Sequence, residues 1–205
     1  MTLAKIIPLA FVMIAGPQIL SAIFLATSEQ WRPNSAAFSA GAALSVTAVV
    51  TVGFVLSIGA SNQGASSNAV DIAIIALLVA AGLHTFLTRK TSEPPKWMGK
   101  LETADPKLSF RLGFLLLGIF PTDILTSLAV GGTVAGNGDP WWQILPFVAM
   151  VLLFVASPSL LVVVLGQRGQ TLLPKVRDWM NDNSWVVSEI VILLFIALTA
   201  NSLAG

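Results

Sequence analysis

The sequence predicts an all-α membrane protein: six transmembrane helices arranged as a 3+3 inverted-topology repeat, with helices 1 and 4 broken. Three observations carry that expectation. Only 10% of the 205 residues are charged and 55% are apolar, whereas about a quarter of a soluble domain is charged. Long charge-free runs match the roughly 20 mostly apolar residues that a spanning helix needs. A proline beside a polar residue also recurs at corresponding places in the two halves.

The charge-free runs cover residues 6–28, 33–70, 72–87, 112–122, 124–138 and 140–167. The helices they predict are 3–26, 35–58, 68–88, 109–134, 141–165 and 185–203, and the fourth bridges two runs that Asp123 alone separates. The chain then divides into a first three-helix repeat (1–88), a basic linker (89–108) and a second repeat (109–205). The linker is too short and too poor in apolar residues to bury a core, and nothing is expected to fold outside the bilayer.

The placement of the basic residues sets an orientation. With the loops after helices 1, 3 and 5 on one side, that side holds Arg32, then Arg89, Lys90, Lys96, Lys100, Lys107 and Arg111, then Arg168, Lys175 and Arg177. The other side keeps Lys5. Lys and Arg mark cytoplasmic loops, so both termini are expected outside a prokaryotic cell membrane. A cleaved signal peptide would have an apolar core about half as long and an A-x-A site directly after it. The absence of cysteine removes disulfides, thiolate metal sites and thiol redox chemistry. The six tryptophans fall near predicted helix ends or in loops, as interfacial anchors do.

The two halves align. Gln18-Ile19-Leu20-Ser21 falls on Asp123-Ile124-Leu125-Thr126 at an offset of 105, with Pro17 and Pro121 one residue out of register. Asp71 and Glu189, each opening an apolar run, align at an offset of 118. An odd number of helices per repeat inverts the second copy, and in inverted-repeat transporters the cargo and coupling ion bind near the midplane at broken helices.

Proline removes an N–H and clashes with the carbonyl four residues back. Pro17 is thus expected to free the carbonyl of Met13, Pro121 that of Leu117 and, in helix 5, Pro158 that of Phe154. Each must find a neighbouring hydroxyl, a helix, a water or an ion. Asp123 is the sharper signal, since a carboxylate inside a membrane helix is rare unless it faces a polar cavity or titrates. The expected binding residues are therefore Asp123 with Thr122, Pro121, Pro17, Gln18 and Ser21, and Glu189 as a second carboxylate. Asp71 reads as a helix cap, and His84 and Asn201 read as interfacial polar residues. Ala37, Gly41 and Ser45 form a small-residue stripe on helix 2 that permits close packing. No catalytic residue, metal site, cofactor or nucleic-acid contact is expected: no Ser–His pair or metal-ligand cluster appears, and the GxG of residues 136–138 lacks a strand–helix setting.

The motif GPQ (16–18), the motif FPTD (120–123), GDPWW (138–142) and the basic linker resemble the LysE superfamily of exporters, and within it the GAP branch of Sap-like glycolipid-addressing proteins. The resemblance covers nearly the whole chain. It implies secondary export, commonly as a homodimer, with a lipid-like or amphipathic cargo for some members, and it carries site roles onto Pro17, Gln18, Pro121 and Asp123. Related thiol-reductant transporters place cysteines beside these prolines, and this chain has none.

The expected function is proton-coupled export through Asp123, with membrane lipids and an amphipathic small molecule as partners. The alternatives are a non-transporting membrane scaffold or lipid-handling subunit and, within transporters, an amino-acid or metal-cation exporter.

Overall fold

The computed structural model describes residues 3–60, 101, 103–183 and 186, and among them every regular element is helical. Predicted helix 3 and, apart from residue 186, predicted helix 6, with Asp71, His84, Glu189 and Asn201, lie outside the described residues, as do residues 89–100 of the linker.

The first predicted helix is two. Helix α1 (Leu3–Ile14) stops, and α2 (Pro17–Ala26) begins after Ala15 and Gly16. Gly16 holds φ at 148°, a conformation side chains resist. Pro17 occupies the first turn of α2, where its missing N–H is no loss and its fixed φ suits a helix start. The proline therefore does not strip a carbonyl within a continuous helix, as the sequence suggested; it opens a new one. A tight turn of capping hydroxyls follows, with Ser28 Oγ donating to the carbonyl of Leu25 at 2.8 Å.

Helix α3 (Trp31–Ala60) is longer at both ends than expected. Helix α4 (Pro106–Ile119) starts three residues early because Asp105 caps it, accepting from the Leu108 amide at 2.6 Å with Pro106 in the first turn. Asp105→Ala should cost about 1 kcal/mol, read as a lower melting temperature in detergent, and Asp105→Asn should retain most of that stability. Phe120, extended at φ −61° and ψ 128°, separates α4 from α5 (Pro121–Gly136). The two are bent by 67°.

A 3₁₀ turn (Trp141–Ile144) leads into α6 (Leu145–Leu165). Here the expectation for an internal proline holds: Ser157 Oγ donates at 2.7 Å to the carbonyl of Phe154, which Pro158 leaves without an amide. Gly166, at φ 55°, turns the chain into α7 (Gln167–Asp182). This 16-residue helix corrects the expectation that the segment after helix 5 is a basic loop.

Helix α3 is the central staff. It runs parallel to the α4–α5 pair, since Gly113 backs onto Phe38 at one level and Gly131 onto Val50 and Phe54 further along. The α1–α2 pair runs the other way: its C-terminal end meets the start of α3 and the approach to α4 through Asn34, whose Nδ2 donates to Ser28 Oγ (3.0 Å) and to the carbonyl of Ala104 (2.8 Å). The α6 segment is antiparallel to α3, tied at its start by Trp141 Nε1 donating to Thr51 Oγ1 at 3.0 Å. Leu101 and Ala104 join a core that includes Met13, Phe38, Leu117, Val130 and Phe147, so the end of the linker packs on the bundle instead of lying free.

Two described helical stretches, Trp31–Ser57 and Trp141–Leu165, are long and apolar enough to cross a membrane, and the bent α4–α5 pair makes a third if counted as one span.

Candidate functional site

The two helix breaks meet. Gln18, in the first turn of α2, and Asp123, in the first turn of α5, are joined by a hydrogen bond from Gln18 Nε2 to Asp123 Oδ2 of 2.7 Å. They are the residues that the repeat alignment pairs at an offset of 105. Both are buried, Asp123 at 1% exposure and Gln18 at 3%. The reason they meet lies in the chain directions. Because α1–α2 and α4–α5 run oppositely, their breaks can coincide only near mid-length, and there each presents the first turn of its second segment.

Around the pair the groups are few. Thr122 Oγ1 donates to Asp123 Oδ1 at 3.3 Å. Gln18 Oε1 is buried and accepts no hydrogen bond, an uncommon state for an interior amide oxygen. Ser21, named from the sequence as lining, gives its proton to the carbonyl of Pro17 at 2.6 Å. It steadies the first turn of α2. Ser127, one turn beyond Asp123, contacts Met13 Sδ at 3.8 Å and marks where α1 crosses α5. Pro17 and Pro121 act as helix starters, and the structure brings Gln18, Thr122 and Asp123 together. Glu189 lies outside the described residues.

Placed in the first turn of α5, Asp123 faces the positive end of that helix, and among the described residues no cation is bonded to it. An amide is a partner of a different kind. To an ionised carboxylate it donates through Nε2–H; to a protonated one its Oε1 can accept the acid proton after a flip. The pair thus stays hydrogen-bonded in both protonation states, and the neutral amide does not bias the carboxyl toward its ionised form as an Arg or Lys partner would. Among the described residues no group of three or more His, Asp or Glu gathers in one place.

The other face of the first break is apolar. A groove of about 350 Å³ is lined by Phe11, Ile14 and Ala15 of the first segment, Ile19 of α2, Phe154 and Ser157 of α6, and Val176, Trp179 and Met180 of α7. Two of its residues, Phe11 and Phe154, meet edge to face with centroids 6.1 Å apart. Gln18 lies between the groove residues Ala15 and Ile19 in sequence yet is bonded away from them, toward α5. One backbone break therefore carries a polar pair on one side and an apolar groove on the other. Sequence reasoning missed the groove because its wall is completed by α7.

Span-length apolar helices, with interrupted antiparallel helices meeting between them at a buried amide–carboxyl pair, mark a helical membrane protein. The chain belongs to the family of Sap, the sulfolipid-1-addressing protein, whose family model matches residues 6–203. No curated protein and no solved structure matches the chain.

Proposed function

We propose that this protein is a proton-coupled secondary exporter of a lipid-like amphipathic molecule, built on the 3+3 inverted plan of the LysE superfamily. The observation that carries the reading is the hydrogen bond between Gln18 and Asp123, the aligned residues of two oppositely running broken helices. The family's name supports a lipid cargo, and the apolar groove beside the first break offers its hydrocarbon part a place.

In this reading Asp123 takes a proton from the side to which the site is open, Gln18 holds the carboxyl in place in either state, and the polar end of the cargo meets the unpartnered Gln18 Oε1. Rocking of one half against the other then exposes the pair to the opposite side. The described basic residues other than Lys5 gather at the end of the bundle where Asn34 meets Ala104: Arg32 opens α3, Lys107 and Arg111 lie in the first turns of α4, and Arg177 sits over the Phe24 ring at 4.6 Å. That end is the cytoplasmic one by the positive-inside rule, and it puts the amino terminus outside a prokaryotic cell membrane. A homodimer follows the resemblance, and no enzymatic step belongs to the reading.

The test is reconstitution. Proteoliposomes carrying an imposed pH gradient should move a fluorescent glycolipid analogue against the direction of proton flow, and reversing the gradient should reverse the movement. Flux that ignores the gradient's sign would favour a lipid-handling scaffold without coupling.

A further inference from the structure

Helix α7 follows α6, a span-length apolar helix, after a single glycine turn, so it lies where the bilayer's hydrocarbon gives way to headgroups. At 100° per residue its apolar side chains Leu172, Leu173, Val176, Trp179 and Met180 share one face. That face is split. Leu173 is buried against Ile23, Ala26 and Val162, whereas Leu172, Val176 and Trp179 are 45%, 38% and 54% exposed. The exposed row is bordered on its open side by Arg168 and Lys175, both exposed, which fall next to Leu172 and Trp179 on the helical wheel. The acidic residues Asp178 and Asp182 lie further round, toward the polar face.

An apolar row with a basic border, at the end of a spanning helix, matches one surface in both respects: acyl chains topped by negative headgroups. We infer that α7 docks into the anionic leaflet of its own membrane through Leu172, Val176 and Trp179, with Arg168 and Lys175 as its headgroup contacts. Val176 and Trp179 also wall the apolar groove at the helix 1 break. The docked helix therefore places the groove's mouth at the acyl–headgroup boundary, open sideways to lipid. That last consequence rests on the export reading; the docking itself does not.

The absence of native cysteine makes the test clean. Single substitutions Leu172→Cys, Thr171→Cys and Leu153→Cys in the full-length chain each take one environment-sensitive fluorophore, and the protein is reconstituted in phosphatidylcholine vesicles with or without phosphatidylglycerol. Lipids brominated high on the acyl chain serve as quenchers. With phosphatidylglycerol present, the label at 172 should be quenched strongly and the label at 171, on the polar face, weakly. Leu153, exposed on α6, reports that the bundle is inserted. Each of Arg168→Gln and Lys175→Gln should lower the docked-to-undocked ratio about fivefold, the equivalent of about 1 kcal/mol per basic residue at an anionic surface. Equal quenching at 171 and 172 would overturn the inference. So would quenching at 172 that ignores both phosphatidylglycerol and the two charges, or a dry label at 172 that brominated lipid does not reach, since protein would then cover the row. No cargo or gradient enters the measurement, so its failure is distinguishable from a failure of proton-coupled export.

Discussion

Asp123→Asn should bring pH-driven flux in proteoliposomes down to the leak of empty vesicles while leaving the protein folded. The substitution is nearly isosteric and keeps a partner for Gln18, because an amide can accept from Gln18 Nε2–H as the carboxylate oxygen does over 2.7 Å. What it removes is the only chemistry at the two breaks, among the described residues, that can take up and release a proton. Circular dichroism, elution from size exclusion and thermal midpoint should therefore stay near those of the parent, since Gln18 keeps its acceptor and the new amide N–H can donate to Thr122 Oγ1, whose oxygen can accept. Gln18→Leu separates the two roles further. It keeps the titratable group but strands it against hydrocarbon, so a fall in stability should accompany the loss of transport. Unchanged flux in Asp123→Asn would mean that the proton travels elsewhere, and the coupling mechanism would fail even if transport itself were real.

The centre of the site was legible from the sequence for a physical reason: a charge or a proline is costly inside a membrane helix, so each stands out against an apolar background. The repeat alignment pairs Gln18 with Asp123, and the fold brings these two residues, 105 apart in sequence, to a hydrogen bond that no local propensity indicates. Its limits are equally physical. The sequence places breaks in helices 1 and 4 at Pro17 and Pro121 and has them free the carbonyls of Met13 and Leu117; the breaks are there, but Gly16 permits a backbone that ends the first helix outright, and Pro121 likewise follows an extended Phe120. A proline signals a local exception to the hydrogen-bond ladder without saying whether the helix bends or restarts.

The groove and α7 were less legible. Residues 167–182 carry Arg168, Lys175, Arg177, Asp178 and Asp182 as well as Pro174, and averaged over a window they read as a polar loop. The helix shows only in the phase of Leu172, Leu173, Val176, Trp179 and Met180, a periodicity of 3.6 that a search for continuous apolar runs does not register. In the same way, Asp105-Pro106 is a cap followed by a first-turn proline hidden inside a segment read as a basic linker. Leu101 is buried there because Asn34 draws the backbone of Ala104 onto the bundle. Sequence composition located the span-length helices among the described residues, and tertiary contacts decided what happens at their ends.

A large loss of stability should come from Gly41→Ala and Gly113→Ala, which face each other across α3 and α4, as from Gly131→Ala, whose added carbon would likewise meet backbone, at Val50 and Phe54. A Cβ on Gly41 would overlap the carbonyl oxygen of Phe110 and stand 2.8 Å from the Phe114 amide nitrogen. A Cβ on Gly113 would overlap the carbonyl oxygen of Phe38 and stand 3.1 Å from the amide nitrogen of Ala42. Backbone cannot swing aside as a side chain can, so either methyl must push the helices apart and forfeit the dispersion contacts that hold membrane helices together. Each substitution should cost about 3 kcal/mol or more, the upper range of overpacking, measured as the shift in unfolding by sodium dodecyl sulfate. Gly118→Ala meets only the Ser45 hydroxyl and its Cβ, which can rotate, so its effect should be milder. Gly136→Ala, with nothing within 4 Å of the added carbon, should be neutral or slightly stabilising. The double variant of Gly41 and Gly113 discriminates between one shared contact and two separate ones. Once the first methyl has opened the interface the second finds room, so the combined loss should fall well short of additive. Full additivity would show that the two glycines serve different approaches, and the parallel packing of α3 on the broken helix would then need a different account.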